Sequence, residues 1–166
     1  MKHRNKRRSY LVLNKIFPPS VDNNFHGYKI ALWGFIAFTL LMTWRSIIHM
    51  FFEQYGFHEI ANFSMITGDP DPMILIYRFF SLWGFAQLIF CFVCWVVIFR
   101  YRALIPLMYL LWLFEWSFRT FGYPLIREDI AVQGIYTVGA TPGAVGAPYI
   151  TFLLIILFSL SLIQKK

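Results

Sequence analysis

Four long runs of apolar residues, separated by short polar segments, dominate the chain. They are residues 30–52, 73–98, 103–121 and 142–163. Each run is long enough to cross about 30 Å of hydrocarbon as an α-helix that rises about 1.5 Å per residue. Lipid offers no hydrogen-bond partner to bare backbone amides, so such segments span membranes as helices. The pattern therefore predicts an all-α fold, a bundle of four transmembrane helices that occupies residues 30–163.

The composition favours a membrane protein over a soluble one. Of the 166 residues, 58 % are hydrophobic and only 14 % are charged, whereas about 25 % of the residues in an average soluble domain are charged. A soluble fold of this size could not hide so much apolar surface. The net charge of +7 comes mostly from residues that flank the apolar runs. We therefore predict the lipid bilayer as a partner and no binding of nucleic acid.

The placement of lysine and arginine predicts the orientation of the bundle. Seven basic residues precede the first run, two lie between the second and third runs, and two end the chain. The other two connections share one basic residue, Arg127, and six acidic residues. Because basic residues concentrate on the cytoplasmic side, both termini are predicted to be cytoplasmic. Residues 1–29 then form a basic cytoplasmic segment, in which Ser9–Phe17 is either an interfacial helix or part of a flexible tail.

The most informative polar residues are ionisable groups inside the predicted spans. An arginine at the centre of a span costs about 2.5–3.5 kcal/mol on insertion scales, so such residues usually face the bundle and find partners. Arg45 and His49 lie one turn apart on the first helix, and Glu115 and Arg119 lie one turn apart on the third. Arg78 lies in the second turn of the second helix. With the N-terminus inside, all five fall in the outer half of the membrane, and they are the predicted ligand-binding residues.

Two interpretations of these five residues are open. In the first, Glu115 neutralises Arg45 or Arg119 and the pairing holds the bundle together. In the second, the residues line an outward-facing pocket for an anionic or polar head group. Arg45 and Arg119 would then contact the anion, and His49 would be the group best suited to exchange protons near neutral pH.

The start of the fourth run has the features of a helix N-terminus at the depth of these charged groups. Thr141 suits the N-cap and Pro142 suits the first helical position. Gly143 and Gly146, with the alanines beside them, predict close approach of a neighbouring helix. Pro148 cannot donate a backbone hydrogen bond and predicts a bend one turn into the helix.

Redox and metal chemistry have weaker support. Cys91 and Cys94 have the spacing of a redox pair, and quinone-linked disulfide enzymes such as the vitamin K epoxide reductase class place thiol pairs in four-helix membrane bundles. Those enzymes also need a second cysteine pair, which this sequence lacks, so we predict two buried, inert cysteines. His49 is the only histidine within a span, which disfavours haem. The sequence predicts no metal and no cofactor.

Three stretches together carry a resemblance to a known family. They are Arg45–Met50, Tyr101–Leu111 with the following Glu115 and Arg119, and Thr141–Gly146. These stretches resemble an uncharacterised family of small four-helix bacterial membrane proteins, similar in general architecture to DoxX-like proteins. The likeness covers roughly residues 30–163, except for the first outer loop with Phe57-His58-Glu59 and the Asp-Pro repeat. It implies a multi-pass protein of the bacterial inner membrane, a cell membrane, and it transfers no catalytic residue.

Three functions fit these observations. The first is a non-enzymatic membrane protein, either an accessory subunit of a membrane protein partner or a binder of a lipid-like or anionic ligand at the outer leaflet. The second is a quinone-linked membrane oxidoreductase, which only the DoxX-like architecture implies. The third is a small transporter, which would need polar groups through the full depth of the bundle. Whether the protein is an enzyme stays open at this point.

Overall fold

The computed structural model describes residues 12–126 and 136–163, and these residues are almost entirely helical. Four helices carry the fold: α1 (Lys29–Phe51), α2 (Met73–Arg100), α3 (Ile105–Ser117) and α4 (Pro142–Leu162). Apart from an isolated β-bridge between Phe63 and Thr137, the described residues contain no strand. The predicted all-α class is confirmed.

Three of these helices, α1, α2 and α4, are long and apolar enough to cross a membrane. Both ends of α1 and of α4 lie within one residue of the ends that the apolar runs predict. Helix α2 extends two residues beyond the predicted run and ends at Arg100. The long arginine stem can lie along apolar surface while its charge reaches water, so the helix need not end where the apolar run ends. Three such helices are typical of a multi-pass membrane protein.

The third run forms a shorter α-helix than residues 103–121 predict, because α3 ends at Ser117. The helical path nevertheless continues. A π-helical turn, Phe118–Gly122, follows α3 directly, and an α-helical turn, Tyr123–Ile126, follows that. A 3-10 turn, Arg102–Leu104, precedes α3. The run is therefore one helical path over residues 102–126. Near its end the backbone hydrogen bonds change from α-helical to π-helical spacing, and such π-helical turns are frequent at functional sites.

The helices pack around aromatic side chains. Helix α1 makes its most extensive contacts with α2, and α3 makes its most extensive contacts with α4. The rings of Phe35 on α1 and Tyr109 on α3 meet edge to face, with centroids 5.0 Å apart. The Tyr109 hydroxyl donates a hydrogen bond of 2.6 Å to the carbonyl oxygen of Ala31. This bond satisfies the buried hydroxyl and ties α3 to the first turns of α1.

Apolar side chains also cover the outside of the bundle. Phe92 on α2 is 68 % exposed and Tyr149 on α4 is 75 % exposed. Trp33 on α1 and Phe114 on α3 are each 66 % exposed. Exposed aromatic surface on every long helix would drive aggregation in water, whereas it matches lipid.

The N-terminal segment packs against one end of the bundle. Residues 12–16 are helical, and the Lys15 ammonium donates a 2.8 Å hydrogen bond to the carbonyl oxygen of Leu162, the last residue of α4. The backbone amide of Tyr28 donates to the carbonyl oxygen of Leu160 at 3.2 Å. A short helix therefore forms within the predicted stretch Ser9–Phe17, whose first residues lie outside the described part of the chain.

The connections at the opposite end of the bundle are tied to each other and to α2. The bridge between Phe63 and Thr137 joins the segment after α1 to the segment before α4. His58 reaches both the carbonyl oxygen of Phe63, 2.8 Å from its Nδ1, and the hydroxyl of Tyr77 on α2, 2.6 Å from its Nε2. A carbonyl oxygen only accepts, so neutral His58 carries its proton on Nδ1 and accepts from Tyr77.

Candidate functional site

A chain of hydrogen bonds links α1, α2 and α3. Nη1 of Arg45 on α1 donates to Oε1 of Gln87 on α2 at 2.9 Å, and Nε2 of Gln87 donates to Oε1 of Glu115 on α3 at 3.1 Å. Glu115 accepts a further hydrogen bond of 2.7 Å from Nε of Arg119 and forms an ion pair with the same guanidinium. These four side chains, which we call the polar cluster, connect three helices across a region where α2 and α3 make few other contacts.

The indole ring of Trp83 on α2 lies against this cluster. The guanidinium carbon of Arg45 lies 4.7 Å from the ring centroid, and that of Arg119 lies 4.9 Å from it. The imidazole of His49 stacks on the same indole at 4.9 Å between centroids. The electron-rich face of an indole attracts cations, by about 2 kcal/mol or more where water is excluded. Trp83 therefore stabilises two arginines that share a single carboxylate, Glu115.

A close approach of α1 and α2 brings these groups together. A Cβ atom added at Gly84 would lie 2.7 Å from the backbone nitrogen of Met50 and 2.8 Å from the carbonyl carbon of His49. Only glycine fits there, because backbone atoms cannot move aside as a side chain can. The Ser81 hydroxyl donates to the carbonyl oxygen of Met50 at 2.8 Å and fixes the same crossing. The absence of a side chain at Gly84 thus permits the close crossing that brings Trp83 against His49.

Replacing Trp83 with leucine is expected to lower the free energy of unfolding by about 1–2 kcal/mol, because leucine keeps apolar volume but has no π face for the two arginines. Thermal unfolding of the protein in mild detergent measures the change. Trp33→Leu is the matched control, since Trp33 is 66 % exposed. A larger loss in Trp33→Leu than in Trp83→Leu would contradict the proposed role of the indole.

A cavity of about 180 Å³ opens between α1, α3 and the first turn of α4. Four of the residues that line it carry polar groups, namely Arg45, His49 and, through their indole N–H groups, Trp44 and Trp116. The rest of the wall is apolar, formed by Leu41, Met42, Ile48, Ile60, Pro142, Gly143 and Ile150. An apolar wall with a few convergent polar groups is the usual character of a small-molecule site.

Two of the polar residues in the cavity wall are buried and lack partners. His49 and Trp116 are each 3 % exposed, and His49 Nδ1 and Trp116 Nε1 have no hydrogen-bond partner among the described residues. In the polar cluster, Oε2 of Glu115 also has no partner within the same residues. Leaving a buried polar atom unsatisfied costs about 1–3 kcal/mol. His49 and Trp116 therefore combine a place in the cavity wall with a buried nitrogen that lacks a partner among the described residues.

The first turn of α4 contributes open space and no tight contact. The prediction of close helix approach at Gly143 and Gly146 is wrong, because a Cβ atom at either position would meet nothing within 4 Å. Ala147 is the small residue that packs, at 1 % exposure. Thr141 does occupy the N-cap, but its side chain makes no capping hydrogen bond. The glycines therefore leave room beside the cavity instead of drawing a helix close.

The structure brings together four of the five predicted site residues. Arg45, His49, Glu115 and Arg119 gather around Trp83, and only Arg45 and His49 of these line the cavity. Arg78 is exposed and has no hydrogen bond or ion pair within the described part of the chain. It lies on a different face of α2 from Gln87, and only the face with Gln87 contacts the polar cluster. Glu115 pairs directly with Arg119 and reaches Arg45 only through Gln87.

Three residues of the site, Gln87, Trp83 and Trp116, are not among those that the sequence predicts. Gln87 carries a readable signal, since it is the only amide side chain in the second apolar run, and polar side chains inside a span usually bond across helices. Nothing in the pattern separates Trp83 and Trp116 from the other four tryptophans, because their roles depend on which helix each one faces.

Comparisons of the chain with protein-family models, with curated proteins and with solved structures give no match. Within residues 12–126 and 136–163, no three His, Cys, Asp or Glu side chains lie together as metal ligands. Cys91 and Cys94 are both fully buried and unpaired with each other.

Proposed function

We propose that the chain crosses a bacterial inner membrane four times, with both termini in the cytoplasm. The helical path over residues 102–126 supports a fourth span, since at about 1.5 Å per residue it is about 37 Å long. The uneven distribution of lysine and arginine supports the orientation. In this arrangement the cavity and the polar cluster lie in the outer half of the membrane.

We further propose that the protein binds an amphipathic anion, a lipid-like molecule with a negatively charged head group, in the cavity between α1 and α4. The observation that carries the proposal is that the mostly apolar cavity wall includes Arg45 together with His49 and Trp116, two residues that each have a buried nitrogen without a partner among the described residues. Arginine and the indole N–H only donate hydrogen bonds. A ligand that satisfies them must supply acceptors, and a negative charge would also offset Arg45.

The volume and the apolar wall of the cavity suit a ligand with a small head group and an apolar tail. An engineered apolar cavity of about 150 Å³ holds a benzene ring, so about 180 Å³ suits a single carboxylate or phosphate group with a few methylene groups. The side chains of Leu41 and Trp44 line the cavity and are also exposed on the outer surface of the bundle. An acyl chain could therefore leave the cavity directly into lipid. The N-terminus of α4, at Pro142, adds a partial positive charge at the cavity wall.

Gly143→Leu is expected to weaken the binding of oleate at least about tenfold, a change of about 1.4 kcal/mol. The leucine side chain would enter the cavity from a position where nothing lies within 4 Å of an added Cβ atom. Native mass spectrometry of the full chain in mild detergent, titrated with oleate and with oleyl alcohol, measures the binding. Oleate should bind the natural chain better than the alcohol does, because only oleate carries a charge for Arg45.

Gly146→Leu is the matched control, since position 146 is equally open but does not line the cavity. It should bind oleate as the natural chain does. Equal binding of oleate and oleyl alcohol, or equal binding by the two leucine variants, would argue against the site. Co-purification of a quinone at near one per chain would instead favour the alternative of a quinone-linked oxidoreductase.

A further inference from the structure

A second and larger cavity lies at the opposite end of the bundle. It has a volume of about 340 Å³ and is enclosed by the N-terminal segment, the start of the third helical path and the end of α4. The backbone amide of Ala103 donates to the carbonyl oxygen of Asp22 at 3.3 Å, and this contact closes one side. Gly27 allows the segment to approach α4, because a Cβ atom there would lie 2.6 Å from the carbonyl oxygen of Ser161.

Basic side chains line this cavity. Lys15, His26 and Arg102 come from three separate places in the sequence and all face it. The Lys15 ammonium donates one hydrogen bond to Leu162, and Nε of Arg102 donates to the carbonyl oxygen of Ile98 at 2.9 Å. These bonds satisfy the carbonyl ends of α4 and α2. Within residues 12–126 and 136–163, two N–H groups of Lys15 and both terminal nitrogens of Arg102 make no hydrogen bond.

The one acidic residue that lines the cavity, Asp22, forms no ion pair with Lys15 or Arg102. Asp22 accepts hydrogen bonds from the backbone amide of Asn24 at 3.0 Å and from the Asn24 side chain at 2.8 Å. The same bonds lower the pKa of the Asp22 carboxyl below its usual range, so it stays charged and engaged within its own turn. Across the described residues the one ion pair is Arg119–Glu115, at the other end of the bundle. Among the described residues, Lys15 and Arg102 therefore form no ion pair with a carboxylate.

The surroundings of the cavity are suited to a membrane surface. The short helix at residues 12–16 buries Ile16 at 8 % exposure but leaves Val12 and Leu13 at 44 % and 51 %. Phe17 follows at 56 % exposure. An apolar face of this kind beside basic residues is characteristic of a segment that lies in the interface between head groups and acyl chains. Phospholipid phosphates are concentrated at that depth.

We propose that this cavity binds the phosphate of an anionic phospholipid, with Lys15 and Arg102 as the two principal contacts and Pro18, Phe25 and Pro106 as apolar walls. The guanidinium of Arg102 can hold two phosphate oxygens at once. The lipid would bridge the N-terminal segment to α3 and α4. This site is independent of the cavity between α1 and α4.

The test measures the binding of three probes to the full chain in mild detergent by native mass spectrometry. The probes are dioleoylphosphatidylglycerol, dioleoylphosphatidylcholine and glycerol 3-phosphate. Arg102→Gln is expected to weaken the binding of phosphatidylglycerol about tenfold, as the loss of a charge-assisted hydrogen bond requires. Arg100→Gln is the matched control, because Arg100 is two residues away and exposed but does not line the cavity. It should change binding by less than about twofold.

Each outcome decides the proposal. Preference for phosphatidylglycerol over phosphatidylcholine, lost in Arg102→Gln and kept in Arg100→Gln, supports it. If Arg102→Gln does not fold, Lys15→Gln removes the cation on the other wall and should show the same loss. Equal losses in the Arg100 and Arg102 variants would indicate diffuse surface attraction and overturn the site. Glycerol 3-phosphate binding as tightly as the lipid would overturn the lipid as ligand and indicate a soluble phosphate ester.

Discussion

Replacing Glu115 with alanine is expected to lower the free energy of unfolding by about 3 kcal/mol, more than replacing Arg119 does. Removing one partner of a buried ion pair costs about 3–5 kcal/mol, because the remaining charge is left uncompensated. The lower end applies here, since the side chains of Glu115 and Arg119 are 31 % and 24 % exposed. Glu115→Ala leaves two arginines, Arg45 and Arg119, against one indole with no carboxylate. Arg119→Ala leaves Glu115 with Gln87 and, through it, with Arg45.

Thermal unfolding in mild detergent, together with the amount of protein recovered from membranes, measures the two variants. Glu59→Ala controls for the change in net charge, because Glu59 is exposed and should change stability by less than about 0.5 kcal/mol. Equal expression and equal melting of the Glu115 and Arg119 variants would show that the carboxylate does not connect the two arginines as the hydrogen bonds indicate.

Gly84→Leu is expected to lower the free energy of unfolding by about 3 kcal/mol, the upper end of the usual cost of overpacking. The new side chain would meet the backbone of Met50 and His49, where an added Cβ atom already lies within 2.8 Å of backbone atoms. Helices α1 and α2 must then separate or rotate. Either movement carries His49 away from Trp83, so the second effect is a changed tryptophan fluorescence spectrum.

The same substitution at Gly146 provides the comparison. An added Cβ atom at Gly146 meets nothing within 4 Å, and leucine has a higher helix propensity than glycine by about 0.5–1 kcal/mol. Gly146→Leu should therefore unfold at the natural temperature or slightly above it. A stability loss at position 146 equal to that at position 84 would mean that lipid-facing bulk, and not the crossing of α1 and α2, decides the effect.

Several features of the fold could be predicted because they depend on one helix at a time. The apolar runs predict α1, α2 and α4 closely, since a span of hydrocarbon sets their length. The spacing of Arg45 with His49, and of Glu115 with Arg119, predicts that each pair shares a face. The sequence left Arg45 and Arg119 as alternative partners of Glu115, and the structure shows the direct ion pair with Arg119, which lies on the same helix face.

Other features depend on how one helix is rotated against another, and the sequence of a single apolar run does not determine that rotation. Arg78 and Gln87 lie on the same helix, yet only Gln87 faces the polar cluster. The choice follows from the contact at Gly84, which fixes the face that α2 presents to α1. The glycines at the start of α4 illustrate the same limit, because small residues permit close approach but do not require it.

The hydrogen bond from Lys15 to Leu162 joins residues 147 positions apart in the chain, which has a consequence for the order of biosynthesis. The N-terminal segment leaves the ribosome first, at about 5–20 residues per second, and its docking surface on α4 is made last. For most of translation the segment therefore has no site to occupy. This end of the bundle can therefore close only after α4 has been synthesised and has inserted.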